Sequence, residues 1–173
     1  MRPLWLLRVE GASDSQGESP EGIGAQPRVK YRRWPRPFVG NMAVKNLRQV
    51  VTIRASPHDV YTTLVDPKEH AKFSGAAAKM VARPGGAFSL YDASLVGVVV
   101  HLEKDRRIVL AWRSTGWPEG HYSIAEFLLT KAAGGTRVEF SQYGIPASDF
   151  ADISDGWRHY YWAPLKTYLE APR

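Results

Sequence analysis

Residues 53–73 read Ile53-Arg54-Ala55-Ser56-Pro57-His58-Asp59-Val60-Tyr61-Thr62-Thr63-Leu64-Val65-Asp66-Pro67-Lys68-Glu69-His70-Ala71-Lys72-Phe73. Val51, Ile53 and Ala55 alternate with polar neighbours, which is the period of a strand with one buried face. The period then changes. Ser56 is placed to cap a helix whose first residue is Pro57, a position where a missing N–H costs nothing. Asp59 suits the positive end of the helix dipole. Val60, Tyr61 and Leu64 give this short helix an apolar face. Asp66-Pro67 ends it and caps a second short helix that runs to Phe73. His58 and His70 are expected on exposed helix starts or faces.

Everything after Phe73 and before residue 146 reads as β. A short strand is expected within 76–83, then the turn Arg83-Pro84-Gly85-Gly86. Ala87–Tyr91 and Leu95–Glu103 form a hairpin around Asp92-Ala93-Ser94. Strands follow over Ile108–Arg113, His121–Lys131 and Thr136–Tyr143, the last two joined through Gly134-Gly135. A long helix is expected from about Asp155 to Leu169. Consecutive strands joined by short turns pair antiparallel. The order is therefore that of an α+β domain: a curved antiparallel sheet of six or seven strands, two short helices after the first strand, and a long C-terminal helix across the sheet.

Several of these segments, in this order, resemble a known family. They are Ile53–Tyr61, Asp66–Phe73, Gly85-Gly86-Ala87-Phe88-Ser89-Leu90-Tyr91, Gly97, Ile108-Val109-Leu110-Ala111-Trp112-Arg113, Gly135-Thr136-Arg137-Val138 and Gly156-Trp157. Residues 49–170 resemble the Bet v 1-like, or START-like (SRPBCC), superfamily. More closely they resemble the domain homologous to the activator of Hsp90 ATPase. The resemblance implies a helix-grip fold, in which the sheet grips the final helix and an apolar cavity often lies between them. It also implies three kinds of activity: binding of hydrophobic ligands, cyclase or hydrolase chemistry, or action on the Hsp90 chaperone. Fold alone does not choose among them.

The residues define what the cavity walls would be. Ala125, Phe127 and Leu129 share one strand face, as do Val138, Phe140 and Gln142, and Ile108, Leu110 and Trp112. On the final helix Trp157, Tyr161, Pro164/Leu165 and Tyr168 recur at helical spacing. These sets meet. Ile108, Leu110, Trp112, Phe127, Leu129, Val138, Phe140, Gln142, Trp157, Tyr161 and Leu165 are either the lining of an aromatic ligand cavity or simply a packed core. Trp162 falls off the stripe and is expected as a surface anchor for a partner.

For an enzyme, His101, Arg113 and Tyr161 are the acid–base candidates, with His101 and Glu103 on one strand face within reach of Arg113. Asp92, Asp149, Asp152 and Asp155 read as turn formers and caps. No His pair has metal-ligand spacing, no Gly-x-Ser-x-Gly elbow occurs, and neither glycine pair is a phosphate loop. No metal or cofactor is implied. The parity of the strands puts Glu126 and Glu139 outside, which favours a non-catalytic binding protein over an enzyme.

The chain has 173 residues, 44% hydrophobic and 23% charged, a composition that favours a folded domain. It has no cysteine, so thiolate chemistry and disulfides are excluded. The net charge is +6, and residues 1–41 carry seven of the 23 Lys/Arg and four of the 17 Asp/Glu. Arg28, Lys30, Arg32, Arg33 and Arg36, interleaved with Tyr31 and Trp34, form a basic-aromatic cluster among prolines. It reads as a solvated lead-in rather than a nucleic-acid or membrane patch. Residues 1–41 are expected to be a poorly structured extension and 42–173 the domain, with Met42 a candidate start. No run approaches the ~18 apolar residues of a membrane span. The apolar stretch after Arg2 is also shorter than the ~7–15 residues of a signal-peptide core. A cytoplasmic protein, monomer or homodimer, is expected. Its expected partners are a small hydrophobic ligand or a chaperone, and nucleic acid is not among them.

Overall fold

The computed structural model describes residues 42–172. The basic-aromatic cluster and the rest of 1–41 lie outside the described residues.

Seven strands form one antiparallel sheet: β1 (Val44–Ile53), β2 (Lys79–Met80), β3 (Ala87–Leu90), β4 (Leu95–Glu103), β5 (Arg107–Ser114), β6 (Ser123–Ala132) and β7 (Gly135–Pro146). Their spatial order is β1-β7-β6-β5-β4-β3-β2. Two helices, α1 (Pro57–Val65) and α2 (Pro67–Ser74), carry the chain from β1 at one edge to β2 at the other. Ser56 caps α1 by accepting from the Asp59 N–H at 3.1 Å. Asp66 caps α2 by accepting from Lys68 and Glu69. Both proline-opened starts fall where the sequence puts them.

The sheet is irregular where it bends. Register shifts lie between Lys45 and Leu47 and between Val99 and His101, and such bulges increase local twist. At the β3–β4 pair, Phe88 lies opposite Gly97. A Cβ at Gly97 would sit 2.0 Å from the Ala111 carbonyl oxygen and 2.5 Å from the Phe88 ring. Only glycine leaves room for that ring to cross β4.

The inward parity holds. Ala125, Phe127 and Leu129 of β6 and Val138, Phe140 and Gln142 of β7 are all buried, as are Ile108, Leu110 and Trp112 of β5. Rings dominate the centre, with Phe127 and Phe140 at 4.9 Å and Phe140 and Trp157 at 4.2 Å.

The C-terminal helix differs from the expected regular one. It begins at Phe150, five residues early, so Asp152 and Asp155 lie inside it rather than before it. Three stretches follow one another: α3 (Phe150–Gly156), a π-helical turn (Trp157–Trp162) and α4 (Ala163–Glu170). Pro164 explains the change. It has no N–H to give the Tyr160 carbonyl, and its ring crowds that carbonyl in a regular α-helix. The wider turn relieves the crowding.

Widening the turn also moves side chains. In an α-helix Tyr161 and Trp162 are ~100° apart, so burying both takes a wide apolar face. Here both are buried, at 6% and 3% exposure. Trp162 is therefore core, not the surface anchor its spacing suggested; the exposed aromatic is Tyr160, at 73%.

Candidate functional site

A cavity of about 330 Å³ opens between the C-terminal helix and the β3–β4 end of the sheet. The β3–β4 turn supplies Tyr91 and Ser94, β4 supplies Leu95 and β5 supplies Trp112. From the helix come Asp152, Ile153, Gly156, Trp157, Tyr160 and Tyr161. Of the expected wall residues, Trp112, Trp157 and Tyr161 line it. Ile108, Leu110, Phe127, Leu129, Val138, Phe140, Gln142 and Leu165 do not. They pack as filled core, because Phe127, Phe140, Trp157 and Trp162 occupy the centre with ring centroids 4.2–6.0 Å apart.

The walls are held from behind by two tryptophan–glutamine pairs. The Trp157 indole N–H donates to Gln142 Oε1 at 2.7 Å, and Gln142 Nε2 donates to Ser123 Oγ at 2.8 Å. The Ser123 hydroxyl donates to the Trp112 carbonyl at 3.0 Å. Every step of this buried chain runs donor to acceptor, so Gln142 fixes Trp157 instead of facing a ligand. In the second pair Trp162 Nε1 donates to Gln49 Oε1 at 2.6 Å, and Gln49 Nε2 donates to the Ser154 carbonyl at 3.0 Å. Each indole N–H would otherwise be a buried unpaired donor, at a cost of about 1–3 kcal/mol.

The rim is held by a strained turn. Tyr91, Asp92 and Ala93 have φ of 52°, 55° and 67°, the left-handed region that costs a non-glycine residue roughly 1–2 kcal/mol. Two bonds to Ala77 fix the turn: Asp92 Oδ1 accepts from its N–H and the Asp92 N–H donates to its carbonyl. The Tyr91 hydroxyl donates to the Tyr160 carbonyl.

Behind Tyr91 and Tyr161 lies a residue the sequence reading put on the surface. His70 is 1% exposed, with its ring 4.6 Å from Phe73, 5.9 Å from Tyr91 and 5.7 Å from Tyr161. Neither ring nitrogen has a hydrogen-bond partner among the described residues. Burial lowers its pKa to about 4, so the ring is neutral at pH 7. The cap at Asp66 was legible; which face of so short a helix turns toward Tyr161 was not. By contrast His58 is largely exposed, with its Nδ1 2.9 Å from Asp105.

The acid–base candidates are not brought together. His101 is exposed and lies opposite Val109, while Arg113 lies opposite Val96 nearer the other end of β4. Arg113 donates to the Trp117 carbonyl at 2.6 Å and lies over the Tyr122 ring, tying down the β5–β6 loop. Tyr161 lies in the cavity wall, where burial, reinforced by Tyr91, raises its pKa well above the usual phenol value. It is a hydroxyl at neutral pH and can donate a hydrogen bond but not act as a base.

Comparison with known proteins agrees with this architecture. The family described as "Activator of Hsp90 ATPase homolog 1-like protein" matches residues 54–170. An uncharacterized Schizosaccharomyces pombe protein is 34% identical over 116 residues, which is 67% of this chain and 34% of that protein. The human activator of 90 kDa heat shock protein ATPase homolog 1 is 30% identical over 115 residues, 66% of this chain and 34% of its own. The chain thus spans about one third of the length of these curated relatives. Among solved structures, an HSP90 activator from Plasmodium falciparum superposes with a TM-score of 0.69 at 20% identity, covering 73% of this chain and 97% of that one. The Aha1 dimer from Colwellia psychrerythraea gives 0.62 at 20% identity, covering 73% and 96%. These two share the fold. With 54–170 matched from the end of β1 to the end of α4, the chain belongs to the activator of Hsp90 ATPase homolog 1-like family.

Proposed function

We propose that this domain is a non-catalytic binding module that takes a small hydrophobic ligand in the cavity between the β3–β4 turn, β5 and the C-terminal helix. The observation that carries the reading is the composition of the wall. Five of its ten described residues are aromatic; the Trp157 ring is fixed by its hydrogen bond to Gln142, and the Trp112 ring is packed between Trp117 and Trp157. Preformed apolar clefts of about 300 Å³ and above are where small molecules bind.

Gly156 gives the test. It lines the cavity in the middle of the helix, and a Cβ there would meet nothing within 4 Å. Gly156→Leu puts a side chain into the open space and raises helix propensity at that position. The neutral dye 6-propionyl-2-(dimethylamino)naphthalene should brighten and shift blue with the unaltered protein. With the folded Gly156→Leu variant it should not. Equal dye binding to both proteins removes the cavity from consideration.

A second reading rests on the relatives. Those at about 30% identity carry the name of activators of the 90 kDa heat shock protein ATPase. This supports a role for the domain as a module that acts on an Hsp90-type chaperone, a role that would use its surface rather than its cavity. Steady-state ATP hydrolysis by such a chaperone, with and without the domain, decides it. An unchanged rate at saturating domain ends this reading and leaves the first intact.

A further inference from the structure

We propose that the ligand of this cavity is an organic cation, a quaternary or tertiary ammonium group on an apolar body, and not a neutral lipid or a hydrophobic acid. The inference rests on the binding reading above and names the ligand class for the same site.

Three observations point there. First, Tyr91, Trp112, Trp157, Tyr160 and Tyr161 surround one space, with Trp157 and Tyr161 at 4.6 Å and Trp112 and Trp157 at 6.1 Å. Clustered Tyr and Trp rings attract a cation through their quadrupoles, most strongly a soft, weakly hydrated one. Second, the one carboxylate among the described lining residues is Asp152, exposed on the first turn of α3. Among the described residues no cation is paired with it, whereas Asp155 on the same helix holds Arg158. An ammonium group in the cavity would lie beside a carboxylate that no protein cation already neutralises. Third, no Lys, Arg or His is among the lining residues described, so an anionic headgroup would meet aromatic walls and a carboxylate without a counter-charge. Such a ligand would be repelled at the rim and left unpaired inside.

A neutral ligand would satisfy the apolar walls but would make no use of Asp152. The protein's net charge of +6 works against any cation at long range. That repulsion is screened over about 8 Å at physiological ionic strength, so the local carboxylate decides at contact.

The experiment uses a pair of ligands of one shape. Benzyltrimethylammonium and its uncharged carbon analogue neopentylbenzene are titrated into the full chain, following calorimetric heat and the total tryptophan fluorescence. The same titrations are run on Asp152→Asn and Asp152→Glu. The expected result is at least a tenfold preference for the cation, reduced several-fold in Asp152→Asn and kept in Asp152→Glu. If both ligands bind equally, the cation assignment is overturned and the cavity reading stands. If neither binds and the neutral dye also fails, both are overturned. Preference for the cation that survives Asp152→Asn overturns the role of the carboxylate.

Discussion

The Tyr91 hydroxyl donates to the Tyr160 carbonyl at 2.8 Å, the carbonyl for which Pro164 cannot supply the donor of a regular helix. A turn strained at three successive residues is thereby fastened to a helix widened by its own proline. The bond joins the two irregularities at the carbonyl that the proline leaves without its α-helical donor. Tyr91→Phe keeps the ring and removes the bond. It should cost about 0.5–1.5 kcal/mol in urea denaturation and speed amide exchange in the π-helical turn. Unchanged stability and exchange would mean that the bond fastens nothing.

Gln142 is a structural residue on this reading. Gln142→Leu should strand the Trp157 indole N–H and remove the donor to Ser123. The expected loss is about 1–3 kcal/mol, with an altered tryptophan emission spectrum in the folded state. A variant as stable as the parent would show that the chain from Trp157 to Trp112 is not needed.

His70 gives the protein a specific acid sensitivity. Its folded pKa is about 4, against 6.5 for the free side chain, so the unfolded chain takes up the proton first. The stability this neutral buried ring confers is complete above about pH 6.5. It declines as pH falls from there toward 4 and levels off below, for a total of about 3 kcal/mol. Denaturation midpoints of the parent minus those of His70→Phe, taken from pH 7.5 to 3.5, isolate this from the carboxylates. A flat difference would show that His70 does not titrate this way.

Gly97→Ala should destabilise by about 1–3 kcal/mol, since the added methyl meets a backbone oxygen and the Phe88 ring at once. Thermal unfolding reads the effect, and a neutral substitution would show that β4 shifts easily against both Phe88 of β3 and Ala111 of β5.

The strands were legible because one face of a solvent-bounded sheet must be apolar and its period is fixed at two. Phe127 and Phe140 could be placed from parity alone. The two short helices were legible because Ser56-Pro57 and Asp66-Pro67 carry their caps in sequence. The final helix was legible as an element from the recurrence of its aromatics, but the way Trp162 faces was not. A period of 3.6 residues per turn puts Trp162 off the stripe, yet it is buried beside Tyr161 in the π-helical turn. Pro164 was the available signal. The cavity itself was only half legible. Trp112, Trp157 and Tyr161 were in place, but Tyr91, Asp152 and Gly156 join them only through the position of the β3–β4 turn against the helix, which no local pattern encodes.

The π-helical turn has a consequence for insertions and deletions. A wider turn accommodates one more residue than an α-helical turn over nearly the same rise. The C-terminal helix therefore carries a surplus residue between its two regular stretches. Removing one exposed position, such as His159, while replacing Pro164 with Ala would let the segment close to ordinary geometry. Gly156 before it and Leu165 after it would keep their places. Most helices are broken by a one-residue deletion, because every side chain downstream rotates by ~100°. Here the rotation is already stored, and the deletion would release it.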